Sequence, residues 1–295
     1  MLVAILLGAS VAVSAFAYRN TLFKFSFAEL YRYQLTKLAN PGKPETIFIG
    51  DSSLGNAIDV ARWETLSGAP AMSLALTGAY GYAGSLNMLK RVATLPSVRT
   101  VVLFQTPDMA ARDDAHSGYV HSYDGWLPLG DIPLRALAAA YLNIDTVREA
   151  LKGAIRGPAP SQGRIADDYV RQGLQLSPEK IEKAKQWTLP ADAMRPDNLF
   201  YLRSIGEWCK VHDYRCIYVH GPLLEPMCRN IPDYVDQLNR EIRAAGLLLA
   251  TKEIPCLSAG EVGDAEDHVS PRLKGLYTER YYRAIDALLR SDPHA

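Results

Sequence analysis

Two short runs, far apart in the chain, hold residue types that can do acyl chemistry. Near the start, Ile49-Gly50-Asp51-Ser52-Ser53-Leu54-Gly55 sets two serines behind a glycine and an aspartate. Near the end, Gly263-Asp264-Ala265-Glu266-Asp267-His268-Val269-Ser270-Pro271 sets one histidine behind three carboxylates. A serine hydroxyl is a poor nucleophile until a base takes its proton, and a histidine held by a carboxylate is such a base. Ser52 is therefore the candidate nucleophile and His268 the candidate base, with Asp264 or Asp267 to orient it. Each run alone also fits a plainer role. A serine ahead of a helix caps it, and an acidic loop with a histidine is a solvated one. The pairing carries the chemistry, so the elements between the two runs decide whether they meet.

Those elements alternate. Thr46 to Gly50 (TIFIG) is a compact apolar run ending in glycine, the form of a buried parallel strand. A helix is expected over Ala57 to Leu66, a strand over Ala71 to Leu76, a helix over Ala83 to Ala93 and a strand over Thr100 to Phe104. Later come a helix at Asn198 to Val211, a strand at Arg215 to His220 and a helix at Tyr234 to Ala245. A last strand begins near Leu247 to Ala250, and Arg272 to Leu289 is a long terminal helix. Such alternation predicts an α/β protein with a mainly parallel sheet and helices on both faces. Ser52 then falls just past the carboxyl end of the first strand, where open α/β sheets bind their ligands. His220-Gly221-Pro222 ends another core strand on the same side, which makes His220 a candidate pocket residue. From about 110 to 190 the alternation fails, with a helical stretch near Ile132 to Ile155, and an inserted cap region is expected there.

The chain has 295 residues, 32 basic against 32 acidic, and is 48 % apolar. That balance excludes a disordered chain and a general nucleic-acid binder. Gly78-Ala79-Tyr80-Gly81-Tyr82-Ala83-Gly84 lacks the spacing of a dinucleotide loop. No C-x-x-C pair or zinc-ligand spacing occurs, so neither an organic cofactor nor a metal is implied. Cys209, Cys216, Cys228 and Cys256 allow three disulfide pairings, or remain buried thiols. Aromatics and histidines of the insertion (His116, Tyr119, His121, Tyr123, Trp126) either pack that region or stack on sugar rings.

The first 27 residues form a leader. Leu2 to Ala17 is uncharged, followed by an aromatic and basic flank (Tyr18, Phe23, Lys24, Phe25, Phe27). Ala15-Phe16-Ala17 fits a signal-peptidase pattern. An uncleaved anchor with its flank at the membrane interface is the preferred reading, and a buried core helix at the N-terminus is the third. Residues 28–43 then make an amphipathic connector, and 44–290 the main domain. The globular part is expected on the extracytoplasmic (periplasmic) side of the cytoplasmic membrane, in the cell envelope.

Strand-Gly-Asp-Ser at one end and an acidic loop with His before a terminal helix at the other resemble the SGNH (GDSL-type) hydrolase superfamily, over roughly residues 44–290. The resemblance implies a flavodoxin-like three-layer α/β/α sandwich, with Ser52 as nucleophile and His268 as base. Oxyanion and substrate contacts are implied around Asp51, Ser53 and Gly78, the last from Leu76-Thr77-Gly78 after the second strand. Two positions depart from the family. Where the family has Gly-x-Asn-Asp, this chain has Gln105-Thr106-Pro107-Asp108, so a proline that cannot donate stands in place of Asn. Thr106 or Gln105 is the nearest substitute. Ala265 stands where the family sets its Asp, leaving Asp264 and Asp267 on either side.

The membrane-tethered branch it resembles acts in O-acylation of envelope polysaccharides beside a membrane-bound acyltransferase. The expected activity is thus a serine-dependent esterase or O-acyltransferase on acyl groups, acetyl first, of an envelope or extracellular polysaccharide. Two alternatives stand beside it: a non-catalytic partner in polysaccharide assembly, and a secreted carbohydrate esterase or lipase.

Overall fold

The structure, a computed structural model, describes residues 2–19, 28–113, 115–142, 147–148, 151–152, 155 and 175–291. Much of the expected insertion and the flank residues Phe23, Lys24, Phe25 and Phe27 lie outside these.

In chain order the strands are β1 (Thr46–Gly50), β2 (Ala71–Ala75), β3 (Thr100–Gln105), β4 (Arg215–His220), β5 (Leu223–Leu224), β6 (Leu248–Leu249) and β7 (Cys256–Leu257). Five of them make one parallel sheet in the order β2-β1-β3-β4-β6, and β5 pairs separately with β7. The four long strands are apolar runs buried on both faces, which only a sheet covered by helices on each side provides. The protein is accordingly α/β with a parallel central sheet. The order reverses at β1, so the chain after β1 and the chain after β3 leave the sheet side by side. This is the switch point where such folds open a crevice.

The helices are α1 (Leu2–Arg19), α2 (Ala28–Ala39), α3 (Ser52–Ala57), α4 (Val60–Ser67), α5 (Gly81–Val92), α6 (Ala115–Ser122), α7 (Leu134–Tyr141), α8 (Pro178–Gln186), α9 (Pro196–Val211), α10 (Glu225–Arg229), α11 (Pro232–Ala244) and α12 (Lys274–Ser291). The terminal helix α12 packs on α3 and α4, while α5 packs with α6 and α9, and α9 with α11. The helix expected over Ala57 to Leu66 is α4, starting three residues later, and a separate short helix, α3, precedes it. α3 begins at once after β1, capped by Asp51, and α4 follows, capped by Asp59.

The outer edge of β2 is finished by side chains. Glu64 accepts from the Ala71 amide at 2.9 Å, Gln34 donates to the Ala75 carbonyl at 2.7 Å, and Lys37 donates to the Ser73 carbonyl. The connector helix α2 is therefore part of the domain.

Helix α1 is also docked. Ser10 and Ser14 donate to the Tyr141 carbonyl at 2.9 and 3.3 Å, and the Tyr18 hydroxyl to that of Ala140 at 3.3 Å. Ala15 and Ala17 are buried, while Ile5, Leu7 and Phe16 are exposed. Among the described residues no helix is long and apolar enough to cross a membrane. Of the insertion, α6 packs on α5, α9 and α1, and α7 on α1 and α6. Its aromatics pack each other: Tyr119 stacks with Tyr123 and with Tyr201, and His121 meets Tyr18 edge-on. The four cysteines form two disulfides, Cys209–Cys216 and Cys228–Cys256.

Candidate active site

Gly50 sets the start of the site. A side chain there would lie 1.9 Å from the Phe104 carbonyl, so only glycine lets β1 run this close to β3 as it turns into Asp51. Asp51 is buried and accepts four hydrogen bonds. Its Oδ1 takes the Ser53 amide at 2.9 Å and the Ser53 hydroxyl at 2.5 Å. Its Oδ2 takes the Thr106 amide and hydroxyl, both at 2.8 Å. One carboxylate thus caps α3 and ties it to the loop after β3, and every lone-pair direction is used by a donor. Ser53 and Thr106 are fully buried by these bonds. Ser52, next along the turn, is half-buried, and its hydroxyl has no hydrogen-bond partner among the described residues.

The histidine loop is a pinned hairpin. Val262 and Val269 bridge antiparallel, the Gly263 amide donates to the His268 carbonyl at 2.7 Å, and the His268 amide to that of Ala265 at 3.1 Å. The Leu224 amide donates to the Glu266 carbonyl at 2.7 Å, fastening the loop to β5. Within it, Asp264 Oδ1 lies 2.7 Å from His268 Nδ1. A carboxylate only accepts, so Nδ1 carries the proton and Nε2 of the neutral ring carries the lone pair. Asp267 stands on the other side, its Oδ1 3.7 Å from Nε2, beyond hydrogen-bond reach.

The charges at the two ends act on one another. Burial disfavours the charged form of His268, but the Asp264 hydrogen bond and the carboxylates of Asp267, Asp264 and Asp51 outweigh it and raise its pKa above the usual 6.5. Burial, reinforced by Asp51 and Asp108 and opposed by His268 and Arg112, raises Asp267 to about 6.

Asp108 and Arg112 belong to the site although no motif marks them. Arg112 Nε and Nη2 bond both oxygens of Asp108 at 2.9 and 3.1 Å, and Nη2 reaches the Thr106 hydroxyl at 3.3 Å. Asn198 on α9 holds the Arg112 carbonyl at 2.8 Å and that of Ala110 at 3.2 Å. The one hint in the sequence is the i,i+4 spacing of an acid and a base just after β3. Gly78, after β2, lies against the Arg112 guanidinium, and its amide has no hydrogen-bond partner among the described residues.

Asp51, Ser52, Ser53, Gly78, Thr106, Asp108 and Arg112 thus lie around the carboxyl ends of β1, β2 and β3, and Asp267 and His268, with Asp264 bonded to the imidazole, stand within electrostatic reach of Asp51. His220 is placed differently. It is fully buried, with Nε2 2.7 Å from Asn239 Oδ1, and burial lowers its pKa to about 4. It fastens β4 to α11. Gln105 points to Ser85 on α5 at 2.7 Å, and Pro107 accepts the Tyr234 hydroxyl at 3.0 Å. Among the described residues no group of three or more His, Cys, Asp or Glu is arranged to hold a metal ion. Comparison with family models and with curated protein sequences returns no match.

Proposed function

We propose that this α/β domain is a flavodoxin-like three-layer sandwich of the SGNH hydrolase type, acting as a serine-dependent esterase or O-acyltransferase. Its substrates are acyl groups, acetyl first, on an envelope or extracellular polysaccharide. The observation that carries the reading is the Asp264–His268 bond, set in a pinned loop whose charges act on Asp51, the residue before Ser52. In this mechanism His268 Nε2 takes the Ser52 proton as Oγ attacks the ester carbonyl, and Asp264 steadies the imidazolium that forms. The amides of Ser52 and Gly78 stabilise the oxyanion. The acyl-enzyme is then resolved by water or by a sugar hydroxyl.

The setting is the cell envelope, outside the cytoplasm, beside a membrane-bound acyltransferase. Two disulfides favour an oxidising compartment. At about 27 Å, α1 is short for a span and is partly occupied by protein contacts. Its exposed Ile5, Leu7 and Phe16, with Leu134 and Leu142 of the α7 region, instead suit a seat in the membrane interface. Burial of Ala15 and Ala17 weighs against cleavage after Ala17, and so against the secreted esterase.

The test is hydrolysis of p-nitrophenyl acetate together with fluorophosphonate labelling. Wild type is expected to do both. Ser52→Ala should abolish labelling, and either Ser52→Ala or His268→Ala should cost about 10³-fold or more in kcat/KM. Equal inertness of wild type and variants would sink the reading. A non-catalytic partner in polysaccharide assembly is the second reading, favoured by one contact. Asp267 stands 3.7 Å from Nε2, on the side a nucleophile's hydroxyl must approach.

A further inference from the structure

We propose that Arg112 is a catalytic residue of this site, its Nη1 donating to the oxyanion in the role left vacant by Pro107. The inference rests on the serine esterase reading and adds to it a donor from outside the motif positions.

The sheet order supplies the geometry. β1 lies between β2 and β3, so a side chain touching the chain after β2 and the chain after β3 must pass over the end of β1. Arg112 does this. Its Nη2 and Nε are held by Thr106 and Asp108 beyond β3, while Nη1 rests against Gly78 beyond β2. A Cβ at position 78 would lie 1.8 Å from Nη1, so a larger residue there would push the guanidinium out of this position. The guanidinium therefore bridges the chain after β2 and the chain after β3, within electrostatic reach of Asp51 and beside the Gly78 amide, which has no partner among the described residues.

Its donors are divided to match. Nε and Nη2 are used within the protein, whereas Nη1 has no acceptor among the described residues, and the side chain is 36 % exposed. The planar fork is fixed at one edge by Asp108, and Asn198 fixes its backbone, so the free edge is aimed before substrate arrives. A positive donor is also what the surroundings require. Asp51, Asp108 and Asp267 cluster here, and a new negative charge would meet three carboxylates without a cation facing it. Charge-assisted hydrogen bonds are about twice as strong as neutral ones.

In the step, Ser52 Oγ bonds to the acyl carbon and its proton passes to His268 Nε2. The carbonyl π pair moves onto oxygen, which accepts from the Ser52 and Gly78 amides and from Nη1. Collapse of the adduct breaks the acyl carbon–alkoxy oxygen bond, and the proton on Nε2 goes to the departing alcohol.

The experiment measures kcat and KM for p-nitrophenyl acetate in wild type, Ser52→Ala, Arg112→Ala and Arg112→Lys, with the Tm of each and with methylguanidinium added. Arg112→Ala should lose about 10²- to 10³-fold in kcat, with KM within threefold. Methylguanidinium should restore part of that loss in Arg112→Ala and none in Ser52→Ala. Arg112→Lys should fall between, since it keeps the charge and loses the fork. If wild type shows Ser52-dependent turnover and Arg112→Ala keeps kcat within threefold, Arg112 is no oxyanion donor, though the esterase reading stands. The donor role fails equally if kcat and Tm fall together without chemical rescue. Wild type without Ser52-dependent turnover overturns both.

Discussion

His268 is held between two carboxylates with different tasks. Asp264 bonds Nδ1 and fixes the tautomer, while Asp267, raised to about 6, faces Nε2 across a gap. Since the imidazole pKa is raised above 6.5, and only the neutral ring accepts a proton, activity should climb with pH through a midpoint above 6.5. Asp264→Asn removes the charge, and with it the charge-assisted hydrogen bond, that raise it. The midpoint of the kcat/KM profile should move to lower pH, and the plateau should fall by about 10²- to 10⁴-fold. A profile unmoved by Asp264→Asn would exclude the assigned pairing. Stability runs the opposite way. A raised native pKa stabilises the fold fully below the unfolded value of about 6.5 and ceases to do so as pH rises through the native value. The fold is thus firmer in the pH range where His268 is protonated. Ser52 and His268 stand out in the sequence as a candidate pair by type and context, but which of Asp264 and Asp267 bonds the imidazole does not. Chain spacing favours neither, and the Val262–Val269 bridge makes the selection in space. Arg112 is harder still, because its role depends on which strands lie beside β1.

At the scale of elements, β1 and β4 have the bounds expected from their apolar runs, since such runs end where the chain must leave the sheet. α3 as a separate helix is not expected from the sequence. Ser-Ser-Leu-Gly-Asn-Ala is poor in helix formers, and the helix is set instead by the Asp51 cap. β5 and β7 are two residues each, too short for any periodicity to register. Disulfide connectivity is likewise a property of the fold rather than of spacing. Cys209–Cys216 ties the end of α9 to β4, and Cys228–Cys256 ties α10 to β7. Each bridge contributes about 2–4 kcal/mol on the usual scale. Reduction under native conditions should therefore lower the Tm by several degrees, as scanning calorimetry with and without dithiothreitol would measure. Cysteines that are fully alkylated by iodoacetamide without prior reduction would show the bridges to be absent.

For the molecule as a whole, the leader is integrated with the insertion. Three side-chain hydrogen bonds join α1 to α7, and Ala15 belongs to the core cluster. A chain starting at residue 20 should still fold its sheet but lose about 2–4 kcal/mol, at roughly 1 kcal/mol per hydrogen bond plus the buried alanines. The midpoint of urea unfolding reads this directly, and an unchanged midpoint would mean that α1 is an independent appendage.

The finished rim of β2 has a consequence for how copies of this chain meet. A sheet normally grows by offering its outermost row of amides and carbonyls to a newcomer, the route to fibrils and to strand exchange between protomers. Here Glu64, Gln34 and Lys37 already hold three groups of that row, and at the opposite rim β6 is only two residues long. A sixth strand would have to displace those side chains at one rim or pair with a very short strand at the other. Copies of this chain are therefore expected to meet through helices and loops, leaving the sheet at its present width.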